Sequence, residues 1–504
     1  MSVVWHRNDL RVHDNPALAR AASDGGAVNP VFVVDPWFYR EGSNCDARAE
    51  FVLSSVEALR HEYADLGAEL TVERGESVPR VADAADRLGA EPADVYYNGE
   101  PNAGYPRERD SAAEERGFTA VCGDGIVRDG ATRDGWKENA ESWFGAETHD
   151  APASLTSDRL EDGVTLDKAR ERYGIEPGKP VPDAGEAAAF ERLRRFVERT
   201  DGYIPSISPP YAAEGNDGAG TSRLSPYFSV GSLSLRTAHR RVTEEAGGAP
   251  VDAFVERLFW NRHFTQKLHD YPELPRRAVN PVFRGMNRNS HDPERVRAWK
   301  DGETGYPLVD ASMRALSSEG WMNFRMRAMV ASFFTYILKQ PWWLGARHMR
   351  RELIDGDTAI NYAQWQMQSG LVGVHPNRIY NPTKQVREND PDGRYTRKYV
   401  PELGGVPDEH IAEPWRMDEA VAREAGVRVG PDGDYPEPIV VFEEEARRAR
   451  EAYAAVADRA REALSDPEVY GKASLPERRS RDELTTTSYP EPETNEQASL
   501  DDFS

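Results

Sequence analysis

The chain has almost no cysteine and very little lysine. Only Cys45 and Cys122 carry thiols among 504 residues, so one chain can assemble neither a disulfide framework nor a four-thiolate zinc or iron–sulfur site. Two ordinary thiols are the plain reading. Nine of the 63 basic residues are lysine, against 86 acidic residues and a net charge of −23. That balance matches a composition adapted to high salt and argues about solubility rather than fold. Nucleic-acid binding then requires a local arginine patch, and at high salt it leans on stacking and shape because counterion release contributes little. No run of about 18 apolar residues occurs. The opening MSVVWHRNDLR carries charges where a secretory signal needs an apolar core. A cytoplasmic protein without a membrane span is expected.

The first half lacks the usual nucleotide motifs. Neither G-x-G-x-x-G nor a Walker A loop follows the first apolar run; the turn reads HRNDLRVHDN. The surrounding pattern is nevertheless that of alternating strands and helices. SVVW (2–5), PVFVVD (30–35), ELTVE (69–73), DVYYN (94–98) and FTAV (118–121) read as strands. Between them Val52, Val56, Leu59 and Tyr63, then Val78, Val81, Ala85 and Leu88, repeat at helical spacing. Residues 1–128 are expected to form one α/β doubly wound parallel-sheet domain.

Residues 129–190, rich in Gly, Asp, Glu, Ala and Pro, read as a surface connector, and 191–472 as an all-α domain. In the latter, Met322, Met326, Met329, Phe333 and Ile337 form one stripe whose simplest use is core packing. Arg325 and Arg327 interrupt it and need an anionic partner if buried. Residues 441–463 read as a charged, solvated helix. No internal repeat is present. Residues 473–504 have the composition of a disordered tail.

Three stretches carry chemistry. Thr221, Ser222, Arg223, Leu224 and Ser225, ahead of Pro226, offer hydroxyls, a guanidinium and backbone N–H groups to a phosphate, or serve as a helix cap. Asp355 and Asp357 flank Gly356, where backbone can approach a ligand; Asn361 and Trp365 follow, four apart on one helical face. No histidine joins the two carboxylates at ligand spacing, so no metal site is expected. The third stretch is AWKDGETGYPLVDASMRAL with GWMNFRMRAM after it.

Taken in order, WHRNDLRVHDNPAL, TSRLSPYFSVGSLS, RLFWNRHFTQKL, WKDGETGYPLVDASMR, LIDGDTAIN and RIYNPTKQ…RKYVPEL make the chain from residue 2 to 403 resemble the photolyase/cryptochrome family. The resemblance implies an antenna domain joined to an all-helical FAD-binding domain. Thr221 to Ser225 would hold the FAD phosphates, with Tyr211 from the preceding loop. Asp355, Gly356 and Asp357 would meet the ribityl and isoalloxazine region, and Arg327 would pair with Asp355. Asn361 falls opposite flavin N5; an amide, unlike the acid of the plant photoreceptor branch, favours the reduced anionic flavin of photolyases. Trp365 and Trp342 match the inner and middle members of the family's electron-transfer chain. Asn289 replaces the outer one, leaving Trp343 or Tyr336 to complete the route.

The resemblance implies light-driven repair of flipped-out pyrimidine dimers in UV-damaged DNA, with Trp260 stacking on the lesion. Asn261, Arg257, Phe324, Arg325 and Met367 would line the same pocket. Several of these depart from the ordinary pattern: Arg257 stands for a glutamate, Phe324 for an asparagine, Met367 for a second tryptophan and Ala328 for a methionine. The branch therefore matches neither the ordinary cyclobutane-dimer, the (6-4) nor the iron–sulfur type, and a cryptochrome-type blue-light receptor is the alternative. Folate as antenna is disfavoured, because its gripping residues would fall near Tyr105 and Pro106. A deazaflavin or second flavin stays open. In the tail, Gln497, Leu500 and Phe503 resemble a PCNA-binding box, in which two apolar residues on one face of a single turn plug a groove. Its last aromatic is replaced by Ser504.

Overall fold

The computed structural model describes residues 1–40, 42–128, 135–203, 220–374 and 378–473. Tyr211 and the box Gln497, Leu500 and Phe503 lie outside these. The chain divides into two compact units, one of Met1–Tyr203, Ser222–Pro272 and Arg351–Thr358, the other of Ile204–Thr221, Glu273–Arg350 and Ala359–Ser504. These bounds differ from the expected breaks at 128 and 190. Helices Trp136–Gly145 and Leu166–Tyr173 lie inside the stretch read as connector, and Glu186–Val197 crosses its end.

In the first unit the five expected strands form one parallel sheet: β1 (Ser2–His6), β2 (Val28–Val34), β3 (Thr71–Arg74), β4 (Val95–Asn98) and β5 (Thr119–Val121), in the order β3-β2-β1-β4-β5. Val4 pairs with Pro30 on β2 and Tyr96 on β4. β1 is buried throughout, which is why it reads as a continuous apolar run instead of an alternating one. Alternate residues serve different cores: Val4, Phe32 and Val72 pack with Phe51, Val56 and Leu59, whereas Val3, Trp5 and Val31 pack with Val81 and Ala85. The two sets of helical apolar residues come from Asp46–Leu66 and Ser77–Leu88.

The turn after β1 docks protein where a dinucleotide fold would hold phosphate. Leu10 N–H donates to the Val230 carbonyl at 3.2 Å and Arg11 Nη1 to that of Gly231 at 2.9 Å. Asp14 pairs with Arg236 and accepts from Ser234. Gly231, at φ +69, is required here: a Cβ would overlap the Asn8 carbonyl and stand 2.7 Å from Asp9 Cα. HRNDLRVHDN thus holds segment 222–272 against the sheet.

The second unit is helical among its described residues. Asp310, wholly buried, accepts from Thr304 N–H (2.8 Å), Thr304 Oγ1 (2.6 Å), Gly305 N–H (2.9 Å) and Tyr435 OH (2.6 Å). The TGYPLVD motif is therefore an internal tie. The Met stripe is buried as expected, but in a broken element: Asn323 caps helix Phe324–Ser332, which passes into a π-turn over Phe333–Ile337. Arg325 finds an amide where an anion was expected, its Nη1 donating to Gln385 Oε1 at 3.0 Å. The charged stretch 441–463 forms two helices, Phe442–Ala454 and Ala457–Leu464. Among the described residues no helix is long and apolar enough to cross a membrane.

Candidate functional site

In the first unit Ser222 to Ser225 lead into the short helix Ser225–Val230. Arg223 is held at φ +55, an uncommon conformation for a side-chain-bearing residue. Arg192 Nε fixes the Ser222 carbonyl at 2.8 Å, and Leu224 N–H reaches Ser222 Oγ at 3.4 Å. Thr221, the preceding residue, falls in the second unit. Asp355 and Gly356 are buried and Asp357 is half-buried, in the turn after helix Trp342–Glu352.

Helix Ala249–Asp270 carries Arg257, Trp260 and Asn261, three and four residues apart and hence on one face. Trp260 is half-buried, packs on His263 (5.6 Å) and Phe264 (5.5 Å), and donates its Nε1–H to Glu256 Oε1 at 3.2 Å. Arg257 lies 3.8 Å from the same Glu256 carboxylate, while its Nε is buried without a described acceptor. Asn261 Oδ1 accepts from Arg262 Nη2 at 2.7 Å. Arg262 was not singled out by the sequence. Burial pulls its guanidinium below the ordinary value, opposed by Asp124, Glu100 and Asp357. Burial also pushes Glu100 up to about 7, against Arg7 and with help from Asp9 and Asp124.

In the second unit Asn361 donates through Nδ2 to the Ala346 carbonyl at 2.9 Å. That fixes the amide, and its Oδ1 accepts from no described residue. Trp365 donates through Nε1 to Met349 Sδ at 3.4 Å and packs edge-on against Trp299 (6.1 Å) and Phe334 (5.9 Å). Trp342 opens helix Trp342–Glu352 and meets Trp343 (6.3 Å) and Tyr362 (6.4 Å). Tyr336 packs on Tyr453 at 5.1 Å. Arg327 Nε donates to the Met322 carbonyl at 2.7 Å; it belongs to the second unit and Asp355 to the first. Phe324 and Met367 are half-buried. Asn323, the displaced asparagine, spends its Oδ1 on Met326 N–H at 3.0 Å as a helix cap.

Residues 2–120 match the family model described as DNA photolyase, and residues 254–455 match that of the FAD binding domain of DNA photolyase. The chain belongs to the photolyase/cryptochrome family. A Deoxyribodipyrimidine photo-lyase of Streptomyces griseus is 33% identical over 473 residues, covering 90% of this chain and 99% of that one. The protein of the same name from Halobacterium salinarum is 32% identical over 480 residues, covering 87% and 96%. Among solved structures, an archaeal photolyase from Sulfolobus tokodaii with two FAD molecules is similar at a TM-score of 0.72 and 25% identity, covering 90% of this chain and all of that one.

Photolyase/cryptochrome membership accounts for the motif order; the geometry adds residues the motifs did not mark. Gln366 is wholly buried, donates to the Leu274 (2.7 Å) and Arg277 (2.8 Å) carbonyls, and accepts from Val279 N–H at 2.8 Å. It anchors the helix turn that carries Trp365 and Met367. At the antenna positions Tyr105 donates to Asp35 Oδ2 at 2.7 Å and stacks on Trp37 at 5.2 Å, while Pro106 has no polar side chain.

Proposed function

We propose that this chain is a light-driven DNA photolyase that uses reduced FAD to split UV-induced pyrimidine dimers. Reduced FAD, when bound, supplies the light-activated electron that opens the bonds between the bases.

The observation that carries the reading is the orientation of Asn361. With Nδ2 committed to Ala346 at 2.9 Å, its remaining polar atom is an acceptor. A reduced flavin presents an N–H at N5, and an amide oxygen accepts it without adding charge beside the ring or delivering a proton. The residues present therefore fit the reduced group. Thr221, Ser222, Arg223, Leu224 and Ser225, with Tyr211, would hold its phosphates. Asp355, Gly356 and Asp357 of the first unit would meet its polar flank, and Arg327 of the second is assigned to the same group.

On the DNA side Trp260 gives an aromatic face for a flipped-out base, and Arg257 and Asn261 on the same helix face supply donors beside it; Arg325, in the second unit, is a further proposed contact. Phe324 and Met367, in the second unit, would offer the lesion apolar surface in place of polar and aromatic contacts. The antenna is read as a flavin-type chromophore, because Tyr105 is already engaged by Asp35 and Pro106 offers no hydrogen bond to a folate. The tail box Gln497, Leu500 and Phe503 is read as a tether to the PCNA sliding clamp. Recovery of intact pyrimidine absorbance in UV-damaged oligonucleotides under blue light tests the reading.

A further inference from the structure

The family's outer tryptophan position is Asn289 here, so an electron taken from Trp365 and Trp342 needs another way to be replaced from outside. We propose that Trp343 is the terminal donor of this chain, an assignment that rests on the photolyase reading above. Among the described residues, the rings in contact with Trp342 are Trp343 at 6.3 Å and Tyr362 at 6.4 Å. The two differ in what happens to the proton.

An oxidised tryptophan or tyrosine persists only if it can lose a proton, which otherwise holds the hole in place to recombine. Trp343 is half-buried, and its indole N–H donates to no described residue, so water is the acceptor for its proton. The Arg288 guanidinium lies 5.8 Å from the centre of its ring. A cation there opposes positive charge on the indole and favours the deprotonated neutral radical. Tyr362 is only 8% exposed, its phenol has no acceptor among the described residues, and burial raises its pKa while Arg350 and Arg347 oppose. Less of Tyr362 than of Trp343 meets water, which disfavours proton release there.

The inner end shows the same contrast. Trp365 touches Trp299, which is wholly buried and has its indole N–H bound to the Val330 carbonyl at 3.2 Å. A hole reaching Trp299 cannot shed its proton to water and returns. The productive direction runs along helix Trp342–Glu352: Gly345, against which Trp365 lies, is three residues or about 4.5 Å of helix rise from Trp342. One electron leaves Trp365 for the photoexcited flavin. Trp342 refills Trp365 and Trp343 refills Trp342. The Trp343 indole proton passes to water, and an exogenous thiol returns one electron and one proton to the Trp343 radical.

The test is flash spectroscopy on the FAD-loaded full chain, reading the lifetime of the charge-separated state and the absorption of the neutral tryptophan radical. Trp343→Phe is expected to shorten the lifetime by about tenfold or more and to abolish the long-lived tryptophan signal, at unchanged flavin content. Trp343→Tyr is expected to restore a long-lived state with a tyrosine-radical band, a rescue that a packing role would not give. Tyr362→Phe is expected to change neither readout. A wild-type lifetime and signal in Trp343→Phe, or their loss in Tyr362→Phe, overturns the assignment. Trp365→Phe separates the layers: if it blocks photoreduction while Trp343→Phe does not, only the exit is wrong. If it has no effect, the tryptophan chain itself fails.

Discussion

Gly345 and Trp365 approach so closely that a Cβ on the glycine would overlap the indole, standing 2.8 Å from its Cζ3 and 3.0 Å from Phe334 Cδ1. The indole can lie against helix Trp342–Glu352 only because that position has no side chain. Gly345→Ala is therefore expected to destabilise the chain by about 1–3 kcal/mol and to slow photoreduction, because the ring must move. The check is a denaturant melt paired with the photoreduction rate. An unchanged rate would remove this contact from the electron route.

Asn361 donates to Ala346 and keeps its Oδ1 for the acceptor role proposed toward the flavin. Asn361→Asp replaces a neutral acceptor with a carboxyl that, when ionised, places negative charge beside an anionic reduced ring and loses the donor to Ala346. The reduced flavin is expected to reoxidise in air about tenfold faster, equivalent to about 1.4 kcal/mol. Stopped-flow oxidation measures it, and a variant that keeps reduced flavin as long as wild type contradicts the assigned role.

Glu62 gives a pH prediction independent of the flavin. Burial pushes its carboxyl up to about 8, and Glu186 adds to the rise. The folded state prefers it protonated, so its cost is absent below the unfolded carboxylate value and complete above about 8. Glu62→Gln keeps an acceptor for Glu186 N–H, held at 3.3 Å in the native protein, and removes the charge. It is expected to gain about 1–2 kcal/mol at pH 8 and nothing near pH 4, well short of the full shift because part of the carboxyl is solvated. Melting temperatures across that range decide it; a gain that grows toward low pH has the wrong sign.

The tail box predicts a separable function. In the proposed tether Leu500 and Phe503 would seat in an apolar groove of the clamp and Gln497 in a polar pocket. Deleting residues 495–504 is expected to abolish binding to the sliding clamp while flavin content and photochemistry stay unchanged. Clamp pull-down with full-length and truncated chains reads this, and equal binding by both removes the tether.

Much of the fold was legible because its signals are local. A parallel sheet covered on both faces leaves continuous apolar runs, and SVVWH and VNPVFVV are such runs. Helix Leu166–Tyr173 was missed because it is short and mostly polar; Leu166 and Ala169 alone are buried, and its signal is the Thr165 cap on Lys168 N–H at 3.3 Å. The candidate site was legible as motif order, which names residue types but not their orientation. That Asn361 presents an oxygen, that Asn323 is spent on a cap, or that Gln366 binds the 274–279 loop depends on residues up to 92 apart in sequence. Arg325 shows the limit most plainly. The expectation of an anion follows from charge alone, whereas the Gln385 amide that meets it is set by helix packing.

The reduced, FAD-loaded protein at high salt is mixed with oligonucleotides carrying defined cyclobutane or (6-4) lesions, illuminated with blue light, and followed by the return of pyrimidine absorbance. A light-dependent recovery on one lesion type, lost in Trp260→Ala with flavin content unchanged, is the predicted result. No recovery on either lesion by a fully reduced, flavin-loaded protein would contradict it.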